Sequence, residues 1–181
     1  GNCRRRDRDR NRKRRERLRQ LWITINIMAD NTQPYIPRPA WDEYFMALAK
    51  LAAVMATCPK RRVGAVIVKN HRVVTTGFNG AAPGMPHCTE VGCLIFENEG
   101  SSCRRALHAE QNAVLQDSRN LEGGTLYTSF IPCVDCMKEI VTAKLAEVVY
   151  EEEYPGTKPR YTHAKEFAMG TNVKLRKISA V

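Results

Sequence analysis

Two short segments constrain this chain more than any other feature: His108-Ala109-Glu110 and Pro132-Cys133-Val134-Asp135-Cys136. Each opens a run with helical character, Leu107–Gln116 and Val134–Ala143, and a short strand-like run, Thr125–Thr128, separates them. Backbone N–H groups and the helix dipole at such a terminus favour thiolate, the form of cysteine that binds metal. One imidazole and two thiolates fill three positions of a tetrahedral zinc site and leave the fourth open, as catalytic zinc requires. A water in that position has its pKa lowered towards about 7. Glu110 lies two residues from His108 and can reach such a water without binding the metal, which suits a carboxylate that serves first as base and then as acid. A lone histidine or a lone Cys-x-x-C carries little information. Their joint occurrence on two helix starts makes His108, Cys133 and Cys136 the candidate metal ligands and Glu110 the candidate catalytic residue.

The 181 residues suit one globular domain with an excess at one end. The net charge of +10 suggests nucleic-acid binding until it is located. Residues 1–27 hold ten arginines and one lysine against Asp7, Asp9 and Glu16, which accounts for +8 and leaves the rest of the chain nearly neutral. A neutral body is poor for holding a phosphate backbone, so nucleic acid is not an expected partner. Arg4 to Arg19 is too charged to bury a face and is expected to be disordered. Leu21–Ile27 is a short apolar stretch followed by Met28, which reads as the natural start. A nuclear-localisation or RNA-binding arm and a transit peptide are the alternatives. Residues 1–34 are therefore read as a basic tail and 35–181 as the functional domain.

No apolar run reaches the roughly 18 residues of a membrane span. Seven cysteines without a secretory signal indicate a reducing compartment, the cytoplasm, and metal ligation rather than a disulfide framework.

Asn31–Pro39 holds three prolines and reads as a linker. Trp41, Phe45, Leu48, Ala49, Ala52 and Met55 recur at helical spacing, giving a first helix ended by Cys58-Pro59. Val63–Val68 is a continuous apolar run, a strand buried on both faces. Asn70-His71 turns into a second strand, Val73–Phe78. Residues 85–106 show no periodicity. Val148–Tyr150 and Val173–Ile178 read as strands, and Thr162–Met169 as a helix stopped by Gly170. The order predicts a three-layer α/β/α sandwich around a mixed sheet of about five strands.

From about Trp41 to about Tyr154 the chain resembles deoxycytidylate deaminases of bacterial and bacteriophage type, within the cytidine deaminase-like superfamily. The resembling segments are Arg62-Val63-Gly64-Ala65-Val66-Ile67-Val68, Gly77-Phe78-Asn79-Gly80, His108-Ala109-Glu110-Gln111-Asn112-Ala113 and the Pro132–Cys136 motif. Nucleoside cytidine deaminases typically present Cys where this chain has His108. The resemblance implies a zinc-dependent deaminase domain that hydrolyses dCMP to dUMP and ammonia, supplying the precursor of thymidylate. It implies that Asn79 contacts the sugar, that Tyr154 lies near the substrate, and that the Ala109 backbone faces the pyrimidine. Phe78 stands where the family loop usually has Tyr, and Ile131 where a Ser is usual. A monophosphate needs donors, which Lys60, Arg61 and Arg62 or Arg104 and Arg105 can supply; Arg62 is the preferred candidate.

Cys58, Cys88, Cys93 and Cys103 are left over. Some phage relatives carry a structural zinc anchored at positions corresponding to Cys58 and Cys88, with its other ligands in the variable insertion where Cys93 and Cys103 fall, and His87 can replace one Cys. Related enzymes are commonly hexamers activated by dCTP and inhibited by dTTP. That implies a homo-oligomer, with Mg2+ accompanying a triphosphate effector and Phe78 and Arg119 as regulatory or interface candidates. Alternatives stay open: a tRNA adenosine or polynucleotide cytidine deaminase, or an inactive nucleic-acid-binding relative.

Overall fold

All residues of β1 (Gly64–Lys69) except the last are buried, so the sheet must be covered on both faces. The computed structural model describes residues 38–95, 103–117, 119–154 and 159–180. The basic tail and the linker as far as Pro37 lie outside the described residues. Ala40–Val181 forms one compact unit.

The main sheet has the order β2 (Arg72–Phe78), β1, β5 (Thr125–Phe130), β6 (Glu147–Glu152), β7 (Lys174–Lys177). Strand β1 runs antiparallel to both of its neighbours, whereas β5, β6 and β7 are mutually parallel. A separate ladder joins β3 (Gly80–Ala81) to β4 (Ala106–Leu107).

Alternation along the strands divides the core in two. On one face Val66, Val68, Tyr127 and Val149 pack against Phe45, Met46 and Ala49 of α1 (Trp41–Ala53). On the other, Ala65, Ile67, Leu126 and Val148 meet α3 (Ala109–Gln116), α4 (Val134–Thr142) and α5 (Pro159–Met169) through Ala109, Ala113, Met137, Ile140, Ala164 and Ala168. This is the expected α/β/α sandwich. Arg176 on β7 ties the first helix to the far strands: it donates to both oxygens of Asp42 (2.6 and 3.2 Å) and through Nε to Glu147 (2.9 Å). The Tyr127 hydroxyl also donates to Asp42, at 2.8 Å. The Arg176 hydrogen bond in particular holds the Asp42 carboxyl below its usual range.

The boundaries differ from the sequence reading where tertiary contacts intervene. Helix α1 ends at Ala53 rather than near Cys58, because Val54, Met55 and Ala56 tighten into turns onto Leu51, Ala52 and Ala53. Helix α3 starts at Ala109, since His108 takes an extended N-cap conformation and Ala106–Leu107 pairs with β3. Among the described residues of 85–106 there is one helical turn, α2 (Cys88–Val91). Strand β5 continues to Phe130, carried on by pairing with β6. Asn70 and His71 take φ of 51° and 57°, the two left-handed residues of a type I′ hairpin turn.

Two glycines set how closely helices approach the sheet. A Cβ on Gly64 would overlap the Ala49 carbonyl and the Ala53 amide of α1, and one on Gly77 would overlap the Ala109 carbonyl and the Ala113 amide of α3. Backbone on both sides leaves little room to yield. Gly77→Ala is therefore expected to cost about 1–3 kcal/mol, as overpacking does, and to displace the start of α3. Gly170→Ala, where a Cβ meets its nearest atom at an ordinary 3.6 Å, is the control. Thermal melts of the two variants test this; equal melting temperatures would contradict it.

Candidate metal centre and active site

One edge of the sheet gathers the site. Because β1 is antiparallel to β2 and β5, its N-terminus lies beside the C-termini of β2, β5 and, one strand further, β6. Arg61 and Val63 precede β1, Asn79 follows β2, Ile131 and Cys133 follow β5, and Tyr154 follows β6. Clefts outside the carboxyl ends of parallel strands are the usual ligand sites of such sheets.

His108 and Cys133 are the N-cap residues of α3 and α4, both extended, and neither side chain caps its own helix. They turn towards one point instead. His108 Nδ1 lies 3.5 Å from Cys133 Sγ and 3.3 Å from Cys136 Sγ, and the two sulfurs are 3.6 Å apart. A tetrahedron built on Zn–S and Zn–N bonds of ordinary length has edges of about 3.5–3.8 Å, so this donor set fits zinc. Among the described residues these three form the group of potential ligands close enough to hold an ion together.

Glu110 is buried beside them. Its Oε1 accepts from the Thr128 hydroxyl at 3.3 Å, and its Oε2 is 3.8 Å from Cys136 Sγ. Burial raises its pKa against the opposing pull of His108. The Cys133 thiol is drawn down to about 4, first by its hydrogen bond with Cys136 and then by His108 and the Cys136 backbone N–H. Cys136 moves the other way, because its neighbour already carries the negative charge. Metal binding would take the remaining proton.

A cavity of about 150 Å3 opens onto this group, with His108, Ala109, Glu110, Cys133, Asn79, Tyr154 and Tyr161 in its lining. Asn79 and Ala109 thus stand in the wall where the substrate was expected. The Asn79 carboxamide also holds the wall itself, accepting from Val63 N–H at 2.8 Å and donating to the Arg61 carbonyl at 2.9 Å. Arg62 is exposed and outside the lining, whereas Lys60 and Arg61 are in it. Thr128 and Tyr161 were not singled out by the sequence, and Arg61 was named there only beside Lys60 and Arg62, with Arg62 preferred. Thr128 could have been found from register, since it pairs with Ala65 at the centre of the sheet.

The regulatory candidates lie apart from the cavity. Phe78 ends β2, and its carbonyl accepts from Asn112 Nδ2 at 3.0 Å. Arg119 is exposed beyond α3. Of the second cysteine group, Cys88 and Cys103 are in contact at 3.8 Å, and Cys93 and Cys58 are near enough to push the Cys88 thiol up to about 11, after burial and Cys103. No three of these four sulfurs come within 4.8 Å of one another. Cys58 and Cys103 also line the cavity.

Residues 39–152 match the family model of the cytidine and deoxycytidylate deaminase zinc-binding region. The chain is 40% identical over 120 residues to ComE operon protein 2 of Bacillus subtilis, covering 65% of this chain and 62% of that protein. It is 39% identical over 156 residues to deoxycytidylate deaminase of Schizosaccharomyces pombe, covering 82% of this chain and 47% of the yeast protein. The chain thus spans about half to three fifths of the length of these relatives. The crystal structure of dCMP deaminase from the cyanophage S-TIM5 in complex with dCMP and dUMP superposes with a TM-score of 0.65 at 31% identity, covering 79% of this chain and all of the phage chain. With residues 39–152 matching the family model and its motif residues His108, Cys133 and Cys136 brought together, the chain belongs to the cytidine and deoxycytidylate deaminase zinc-binding family.

Proposed function

We propose that this chain hydrolyses the 4-amino group of dCMP, giving dUMP and ammonia. The observation that carries the reading is Glu110: a buried carboxylate that accepts from Thr128, in the lining of a cavity shared with His108 and Cys133. Similarity to deoxycytidylate deaminases supports the choice of substrate.

His108, Cys133 and Cys136 would hold zinc, which when bound supplies a water acidic enough to attack at neutral pH. Glu110 takes a proton from the attacking water and hands it to N3 of the ring as the C4–O bond forms. It then delivers the water's second proton to the amino group, the C4–N bond breaks, and ammonia leaves. One carboxylate performs both transfers, so it must stay between water and base edge, where the Thr128 hydroxyl holds it. The Ala109 backbone and Asn79 stand in the cavity wall to orient base and sugar.

Cys58, Cys88, Cys93 and Cys103 are proposed to hold a second, structural zinc, with His87 able to replace one of them. The Cys88–Cys103 contact at 3.8 Å supports it, and a closed four-ligand zinc contributes folding energy of its own. A regulated homohexamer responding to dCTP and dTTP, with Mg2+ on the triphosphate, is proposed from the resemblance, with Phe78 and Arg119 as the residues to vary. A dCMP saturation curve that is hyperbolic and indifferent to both nucleotides, from a monomer in solution, would contradict that part.

Glu110→Ala is expected to retain its zinc and lose at least about 10³-fold in turnover of dCMP. Cys133→Ser should lose metal and activity together. An active Glu110→Ala would sink the proton-transfer scheme. Metal analysis of the wild type should return about two zinc per chain and of Cys88→Ser about one, with a lower melting temperature. A wild type with one zinc would remove the second site.

A further inference from the structure

Gln111 and Glu139 meet between the two helices that carry the metal ligands: Gln111 Nε2 donates to Glu139 Oε1 at 2.8 Å. Gln111 stands in the first turn of α3 and Glu139 further along α4. Residues three apart on a helix are neighbours on one face. Gln111 therefore lies one turn beyond His108, and Glu139 one turn beyond Cys136. The amide–carboxylate bond is the next rung after the His108–Cys136 contact at 3.3 Å. Both side chains are half-buried. Burial raises the pKa of the Glu139 carboxyl and the Gln111 bond lowers it, and the charges of Cys133 and His108 are felt there as well.

A metal site whose ligands come from two helices binds more tightly if the helix starts are already held together. Bringing them together otherwise costs part of the binding free energy. Consecutive residues of α3 divide this task. Asn112 Nδ2 donates to the Phe78 carbonyl at 3.0 Å and fixes the helix against β2, and Gln111 fixes it against α4. A hydrogen bond to a carboxylate is stronger than one between neutral groups. A small change in the separation of the helices at this rung would move His108 against both sulfurs.

We propose, resting on the reading of His108, Cys133 and Cys136 as zinc ligands, that Gln111 and Glu139 are positioning residues for the metal. Their bond holds α3 and α4 at the separation that lets one ion take all three ligands, and so sets the zinc affinity of the site.

Zinc affinity is measured by chelator competition on the purified chain, with Cys133→Ser identifying the share of bound zinc that belongs to this site. Glu139→Leu and Gln111→Leu should each weaken that zinc by about 10- to 100-fold, the usual loss when the partners behind metal ligands are removed. The double variant should be no weaker than either single one, because both break the same bond. Glu139→Gln keeps an oxygen that accepts from Gln111 and should retain most of the affinity. Glu139→Asp keeps the charge but withdraws the acceptor, so it should bind zinc more weakly, and it carries the test if a leucine variant fails to fold. Thermal melts give a second readout: the rise in melting temperature on adding zinc should shrink in the weakened variants. A contact that serves folding alone would lower the metal-free and zinc-loaded melting temperatures together and leave the affinity unchanged. Wild-type zinc affinity in Glu139→Asp and the leucine variants, additive losses in the double variant, or a Glu139→Gln as weak as Glu139→Leu would overturn the inference and leave the zinc site standing. A chain that loses no zinc on Cys133→Ser would overturn both.

Discussion

The contact among His108 Nδ1 and the sulfurs of Cys133 and Cys136, all within 3.6 Å of each other, is the constraint on which the rest of the structure depends. Two helices must begin at the same point in space, yet a strand intervenes between them in sequence. Strand β5 meets this by running the length of the sheet and delivering Cys133 at its end, while β4 and the extended His108 deliver α3 from the other side. The N-cap position, where a Ser or Asp would ordinarily satisfy free N–H groups, is given to a ligand in both helices. In α4 the Cys136 N–H then bonds the Cys133 thiolate, and in α3 the Glu110 N–H bonds the Glu110 carboxylate. Gly77 follows from the same demand, because α3 must lie against β2 for His108 to reach the sulfurs, and any side chain there would hold it off.

Charge at the site is arranged around one buried carboxylate. Glu110 sits among groups that carry or share negative charge, Cys133 and Cys136, with His108 as the nearest counterweight. Burial makes such a group poor at staying ionised and good at holding a proton, which suits an acid–base relay but leaves the cavity inhospitable to a phosphate. Cations therefore have to come from outside the metal centre. Lys60 and Arg61, from the segment before β1, join the same lining.

The parts of this arrangement legible in the sequence were those with local signatures. His108, Glu110, Cys133 and Cys136 stand at fixed spacings on helix starts, and β1 announces itself by six apolar or small residues in a row. The Asn70-His71 turn was legible for the same reason. What escaped depended on partners distant in the chain. Arg61 and Arg62 are chemically identical, and only the Asn79 clamp and the aromatic angle of Phe130 and Tyr154 decide which one turns inward. Thr128 looks like any strand threonine until register places it under Glu110. The end of α1 was misjudged because Met55 continues the helical spacing of Trp41, Phe45, Leu48 and Ala52, although it lies beyond the helix in the closing turn and is exposed. Met46, fully buried on that helix, was missed for the converse reason: it lies outside the pattern that Trp41 and Leu48 suggested.

The most direct measurement is ammonia release from dCMP by the purified, zinc-loaded chain. If His108, Cys133 and Cys136 hold zinc beside Glu110 for the purpose proposed, ammonia and dUMP should appear in equal amounts as dCMP is consumed. A chain that binds zinc at those three residues and releases no ammonia from dCMP would contradict it.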